Sequence, residues 1–365
     1  MKKAMNNAPG YRCPHCFSIL GMNDYHMTCT DEICMKAGSR IERDPERSSL
    51  FGIDPNGPDA LPAVRHIVRK GDICDRCGKM LKTRVCPRCH HDIPAGAWDN
   101  YRNTIMFLAP LNGGLSHYTV SLIDQLSSEF KKNLKPSDSE TMECIRKNYR
   151  KHIDNGRVIP HSSAPSEPIV YYLNDNKGRP VTLTLVFVDV SCGDDGIPHL
   201  DHGTDIRGMI AEASGLVILL DPVTESEVGH TLGILKHVTD LLAASNRMDA
   251  DGNINVPLAM VVTKCDLLME DEKCMLGPCS ALHIGRDPMV FDEDVFMQID
   301  SEVREIVRRL ADNEILNIAQ TYSQNQFFAV SAIGYNPVGG SLPRGVIPFR
   351  VEDPLIWLLT RRLNE

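Results

Sequence analysis

From about residue 100 onward, short apolar runs alternate with stretches in which apolar residues recur every three or four positions. The runs predict strands at Thr104–Leu108, Pro168–Leu173, Val181–Val188, Leu216–Leu220, Leu258–Thr263 and Gln326–Val330. Asn174-Asp-Asn-Lys-Gly-Arg179, between the second and third, is too short for a helical crossover and predicts an antiparallel hairpin. Helix-length segments separate the others, which are therefore predicted to be parallel. One helical stripe, Met142, Ile145, Tyr149 and Ile153, follows the capping box Ser137-x-x-Glu140 and ends at Gly156. A second runs through Val295, Ile299, Val303, Ile306 and Leu310, and Asp353-Pro354 opens a last helix over Leu355–Leu359. This alternation predicts an α/β domain over residues 97–365.

Ahead of it the pattern changes from apolar periodicity to cysteine spacing. Thirteen cysteines are too many for a reducing compartment unless most bind metal, and eight precede residue 90. Cys13-x₂-Cys16 is followed by Cys29-x₄-Cys34, and Cys74-x₂-Cys77 by Cys86-x₂-Cys89. Two close pairs separated by a hairpin's worth of chain suit a tetrahedral structural zinc. The expectation is one zinc ribbon over 1–36, a linker loop over 37–64 and a second ribbon over 65–96, with His15 and His26 as substitute ligands in the first. Gly78 permits the left-handed turn that brings backbone N–H groups to the sulfurs. Cys144, Cys192, Cys265, Cys274 and Cys279 are scattered and read as ordinary small side chains.

Charge narrows the partners. A net −9 argues against whole-surface binding to nucleic acid or membrane. Residues 65–91 are an exception, with eight Lys/Arg against two Asp. A four-thiolate zinc site takes back about two of those charges, leaving a basic surface suited to nucleic acid or to an acidic protein. No apolar stretch approaches the ~18 residues of a membrane span, and the N-terminus lacks the apolar core of a secretory signal. Both point to the cytoplasm.

The chemistry gathers at strand ends. Thr263-Lys264-Cys265-Asp266 follows the Leu258–Val262 run. There the Asp266 carboxylate can accept two hydrogen bonds from a guanine edge, while the Lys264 stem lies along the purine face. Ser331-Ala332, after the next strand, is placed as a second base-contacting turn. A phosphate cradle is expected after the first strand, in Ala109-Pro-Leu-Asn112-Gly113-Gly114-Leu115-Ser116-His117. Against G-x-x-x-x-G-K-[ST], Gly114 matches the second glycine and Ser116 the Mg²⁺-ligating hydroxyl. Ala109 replaces the first glycine and Leu115 the lysine, with the position after the loop glycine expected to point toward phosphate. Backbone N–H groups at the helix start could still bind phosphate, but a charge-assisted contact of about 1.5–3 kcal/mol is lost. Asp189, at the end of the third strand, suits Mg²⁺ through water. Cys192 stands where a switch glycine is expected, leaving Asp194, Asp195 or His199 to orient a water. Asp249-Ala-Asp251-Gly-Asn253 looks like a calcium loop, but its glycine comes too early and the reading is a polar turn.

These features resemble the translation-factor-related class of P-loop GTPases, in which an antiparallel hairpin precedes the Asp strand. More narrowly the chain is similar to the bacterial double-GTPase family, with N-terminal cysteine ribbons and a C-terminal segment like Pro348-Phe-Arg-Val-Glu-Asp-Pro-Leu-Ile-Trp357. The resemblance implies a Ras-like fold and GTP or GDP with magnesium held by Ser116 and Asp189. It also implies a switch-I stand-in at Ser162 or Ser163, and a partner that is itself GTPase-like within a bacterial conflict or defence system. Three functions follow. The first is a guanine-nucleotide switch with weak or absent hydrolysis. The second is a catalytically dead scaffold that recruits partners through its ribbons. The third is a zinc-ribbon protein that binds nucleic acid.

Overall fold

The computed structural model describes residues 11–29, 31, 34, 43–50, 54–57, 66–93, 101–129, 135–136, 151–159, 168–174, 180–193, 198–199, 206–223, 225–270, 280–285, 292–311 and 313–363. They form two compact units, one built on residues up to Tyr101 and one from Arg102 onward.

In the N-terminal unit, β1 (Tyr11–Arg12) and β2 (Ile19–Leu20) form a small hairpin. A second, antiparallel sheet has the order β4-β3-β5-β6, from β3 (His26–Cys29), β4 (His66–Val68), β5 (Thr83–Val85) and β6 (Asp92–Ile93). β3 pairs with both β4 and β5, so the two halves of the cysteine-rich region share one sheet. Within the stretch expected to be a loop, Pro45–Leu50 is a helix, α1. The missed signal is local: the Asp44 side chain accepts from the Arg47 N–H at 3.0 Å, and Pro45 takes the first helical position.

The second unit is α/β. Its sheet runs β14-β13-β12-β7-β10-β9-β8, comprising β7 (Tyr101–Pro110), β8 (Lys135–Pro136), β9 (Ile169–Asn174), β10 (Pro180–Cys192), β12 (Gly215–Leu220), β13 (Leu258–Val262) and β14 (Asn325–Ala329). β9 and β10 form the antiparallel hairpin, with Pro180 opposite Asn174. β7, β12, β13 and β14 are mutually parallel. β12 and β13 are buried along their whole length, as expected of strands covered on both faces.

Alternate residues of these strands (Ile105 and Phe107, Leu183 and Leu185, Val217 and Leu219, Ala259 and Val261) share one apolar cluster. Leu122 and Leu126 of α2 (Leu115–Glu129) and Leu355, Trp357 and Leu358 of α9 (Asp353–Leu363) belong to the same cluster. Between these helices come α3 (Lys151–Asp154), α4 (Ile206–Ala211), α5 (Glu225–Ala244), α6 (Cys265–Glu270), α7 (Glu293–Ala311) and α8 (Glu314–Ala319). The stripe predicted from Met142 reaches the described residues only at α3; its capping box lies outside them. No helix among the described residues is long and apolar enough to cross a membrane.

One strand departs from expectation. β10 does not end at Asp189 but runs to Cys192 and pairs antiparallel with β11 (Pro198–His199), Ser191 facing His199. The apolar, fully buried Val190 keeps the chain in the sheet where a switch turn was expected. The Asp249 loop, calcium-like in sequence, is a polar turn: the Asp249 carboxylate accepts from the N–H groups of Asp251 and Asn253.

Candidate functional sites

All eight N-terminal cysteines converge into two sets of four, but not in the sequential grouping. Cys13 and Cys16 meet Cys86 and Cys89; Cys29 and Cys34 meet Cys74 and Cys77. The first ribbon's two pairs therefore belong to different sites, as do the second's. The cause is the shared sheet, because β3 delivers Cys29 beside β4 and β5. Sulfur separations of 3.5 Å (Cys13–Cys89), 3.6 Å (Cys16–Cys86 and Cys29–Cys77) and 3.7 Å (Cys34–Cys74) match the edge of a tetrahedron. Zn–S bonds of about 2.3 Å imply an edge of about 3.8 Å. These distances are far beyond a disulfide bond of about 2.05 Å.

Three of the four Cys pairs sit on the same turn. Phe17, Gly78 and His90, each following a second cysteine, have φ of 60°, 70° and 60°. Their N–H groups donate to the carbonyls of Cys13, Cys74 and Cys86. Burial pushes the Cys13 and Cys89 thiols well above their ordinary range, a cost that a divalent cation removes by binding the thiolates. His15 and His26 are in neither set. His15 instead stacks on His91 with ring centroids 3.8 Å apart, and His90 pairs with the buried Asp44 at 2.5 Å.

The second site is a cavity of about 470 Å³ in the α/β unit. It brings together Asn112, Gly114, Leu115, Ser116 and His117 of the cradle with Thr263, Lys264, Asp266, Ser331 and Ala332. Asp189 also lines it. Gly113 does not; its N–H donates to the Pro110 carbonyl at 2.9 Å. Ser162, Asp194 and Asp195 lie outside the described residues.

The cradle keeps a helix start. Asn112 and Gly114 are left-handed (φ 71° and 86°), and the first N–H bonded back into α2 is Tyr118's, to Gly114. The N–H groups of Leu115, Ser116 and His117 precede it and have no intrahelical partner. Leu115, expected to point at phosphate, is 3% exposed and belongs to the core cluster of Phe107 and Tyr118 while its edge borders the cavity. A leucine cannot stay wet beside the sheet, so it packs inward.

The Thr263–Asp266 turn is braced against the Asn112–His117 loop. Thr263 Oγ1 donates toward the carbonyls of Gly113 (3.3 Å) and Leu220 (3.2 Å), and the Cys265 N–H donates to Val330 (3.1 Å). Lys264 takes φ 52°, and its ammonium reaches the buried Asp221 carboxylate at 2.5 Å. His117 Nε2 accepts the Ile159 N–H at 3.0 Å, and burial, aided by the Lys264 charge, pushes this imidazole down to about 4.

Sequence reading missed Asp221, His117's bond to Ile159, and the wall of Ile333, Tyr335, Asn336 and Pro337. Asp221 had a signal, an acid just past the carboxyl end of a buried parallel strand, where ligand crevices form.

No protein-family model matches the chain. It is similar to a protein of Mycolicibacterium smegmatis (strain ATCC 700084 / mc(2)155) named "Putative ESX-1 scaffolding and assembly protein SaeC". The two are 25% identical over 390 aligned positions, which cover 95% of this chain and 98% of the relative.

Proposed function

We propose that this protein is a scaffold within a multi-protein assembly. Its N-terminal unit, stapled by two zinc ions, recruits partners, and its α/β unit is a P-loop-GTPase-like domain that does not turn over nucleotide. The observation that carries this reading is Leu115, packed into the core at the position of the cradle's lysine. Phosphoryl transfer depends on positive charge at the β/γ oxygens. The extension of β10 past Asp189 supports the same reading, because a strand paired with β11 replaces the turn that would sense a γ-phosphate. The relative's name describes scaffolding and assembly, and its likeness spans both units of this chain.

A Ras-like origin for the domain is supported by the strand order from β14 to β9, by the hairpin, and by the cradle and TKxD turn following β7 and β13. On the double-GTPase resemblance, the partner is a second GTPase-like protein of the same system. Purified protein incubated with GTP, GDP or ATP and Mg²⁺ should release no phosphate above a protein-free control. Mg²⁺-dependent release that disappears in Asp189→Asn would overturn the scaffold reading in favour of a working GTPase.

The cavity favours a second reading, retained guanine binding without hydrolysis. Asp266, Lys264 and Ser331 remain on its wall, and the turn that carries them is tied to the cradle.

A further inference from the structure

The chain between β4 and β5 is a cysteine knuckle whose two faces differ. The Cys74 N–H donates to the Lys79 carbonyl at 2.9 Å, and the Leu81 N–H to that of Asp72 at 2.8 Å. These bonds bracket Ile73 and Met80, which oppose each other as an antiparallel pair. A pair bracketed in this way is the close kind, with Cβ atoms about 4.5–5.5 Å apart and both side chains on one face. Their neighbours Cys74 and Leu81 belong instead to the buried cluster of Cys29, Cys34 and Val68. Ile73 and Met80 are 62% and 73% exposed. The face turned away from the cysteine set therefore holds two adjacent apolar side chains in water. One exposed apolar residue is ordinary, but a fixed pair is not needed by the hairpin, since threonine suits the same extended backbone without exposing as much hydrocarbon.

What surrounds the pair sets the kind of partner. From Arg69 to Lys82 there are five Lys or Arg against two Asp, and all seven are exposed. Arg69 is matched by Glu46, Lys79 by Asp31 and Asp75 by His66. Among the described residues this leaves Lys70, Arg76 and Lys82 against Asp72, a rim of net positive charge. An apolar centre inside a cationic rim complements an acidic protein segment that carries an apolar side chain. Nucleic acid fits less well. Phosphates gain nothing from the apolar pair, and residues 65–91 include no Phe, Tyr or Trp on which a base could stack.

We infer that the Ile73–Met80 face docks an acidic segment of a partner protein. A Leu, Ile, Met or Phe of that segment sits on the pair, and its Asp or Glu side chains meet Lys70, Arg76 and Lys82. The inference rests on the scaffold reading and names the surface through which the N-terminal unit recruits. The face is preorganised, because the Gly78 N–H closes the knuckle on the Cys74 carbonyl at 2.8 Å, so docking orders chiefly the partner. The flexible thioether of Met80 adapts to an apolar side chain of any of these shapes.

The test is selection of random displayed peptides on the zinc-replete full chain, followed by fluorescence anisotropy with the selected peptides. The expected peptides combine Asp or Glu with Leu, Ile, Met or Phe, and bind more weakly as salt is raised. Ile73→Thr combined with Met80→Gln should weaken them by about tenfold or more, as loss of a central anchor does, while elemental analysis still finds two zinc ions. Arg76→Glu combined with Lys82→Glu, at exposed positions that the fold does not use, should weaken them as much and abolish the salt dependence. Recovery of no acidic peptide would overturn the inference. So would peptides that bind both double variants as well as the wild type. If such peptides are nevertheless released by zinc removal, recruitment by the N-terminal unit stands and only this surface fails; if they survive zinc removal, recruitment by that unit fails too. Duplex DNA or RNA that displaces the selected peptides from the wild type would give the face to nucleic acid and overturn the inference in that direction.

Discussion

Single residues in this protein are decided by what their neighbours make them do. His117 stands in the stretch where a phosphate cradle is expected. Its ring nitrogen instead ties the Ile159 backbone to the start of α2. Burial, with the Lys264 charge, pushes its pKa down from 6.5 to about 4, so the folded protein holds the neutral form. Its contribution is full above pH ~6.5 and is lost as the pH falls toward ~4, a difference on the order of 3 kcal/mol. The melting temperature of the wild type should therefore drop more steeply between pH 7 and 5 than that of His117→Gln, which has no titrating group there. Parallel profiles would show that His117 does not carry this linkage. Lys264 teaches the same lesson: its place on the cavity wall was legible from the tetrapeptide, but its pairing with Asp221 was not. The two are separated by 43 positions along the chain and meet only when β12 and β13 lie side by side.

At the scale of elements, local patterns were readable and long-range pairings were not. Six apolar runs became the main strands, and the short Asn174–Arg179 connection did produce a hairpin. Strand ends were less legible, since Val190 is as apolar as the run before it and β10 continues through the expected turn. The cysteines show the limit most clearly. Their spacing identifies knuckles, because each x₂ pair needs only its own turn, but which knuckles meet depends on strand pairing far away in sequence. The nested arrangement makes a prediction that sequential ribbons do not. Cys16→Ser combined with Cys86→Ser strikes one site and should leave about one zinc per chain. Cys16→Ser combined with Cys29→Ser strikes both sites and should lose both ions. Elemental analysis of the two double variants reads the difference. The reverse pattern, with the Cys16/Cys29 pair losing one ion, would restore the sequential grouping.

At the scale of the whole molecule, the two units owe their stability to different physics. The α/β unit buries a large apolar cluster on one face of its sheet, with Phe107, Phe187, Phe328 and Trp357 in ring contact along it. The N-terminal unit has no such centre among its described residues. Its two apolar clusters are built around the cysteines, with Leu20 and Ile93 beside one set and Val68 and Leu81 beside the other. A module with so few buried hydrocarbons cannot offset the entropy of ordering its chain. Structural zinc can, at about 10–16 kcal/mol per site. Chelation should therefore melt the N-terminal unit alone. In proteolysis by trypsin, EDTA-treated protein should lose its basic stretch between Arg65 and Arg88 within the time that zinc-replete protein stays whole. A fragment beginning near Arg102 should resist cleavage and keep the thermal transition of the α/β unit. If zinc removal instead lowered the α/β transition to the same degree, the units would be a single cooperative body, and the zinc module would be part of that fold rather than a separately stabilised platform for partners.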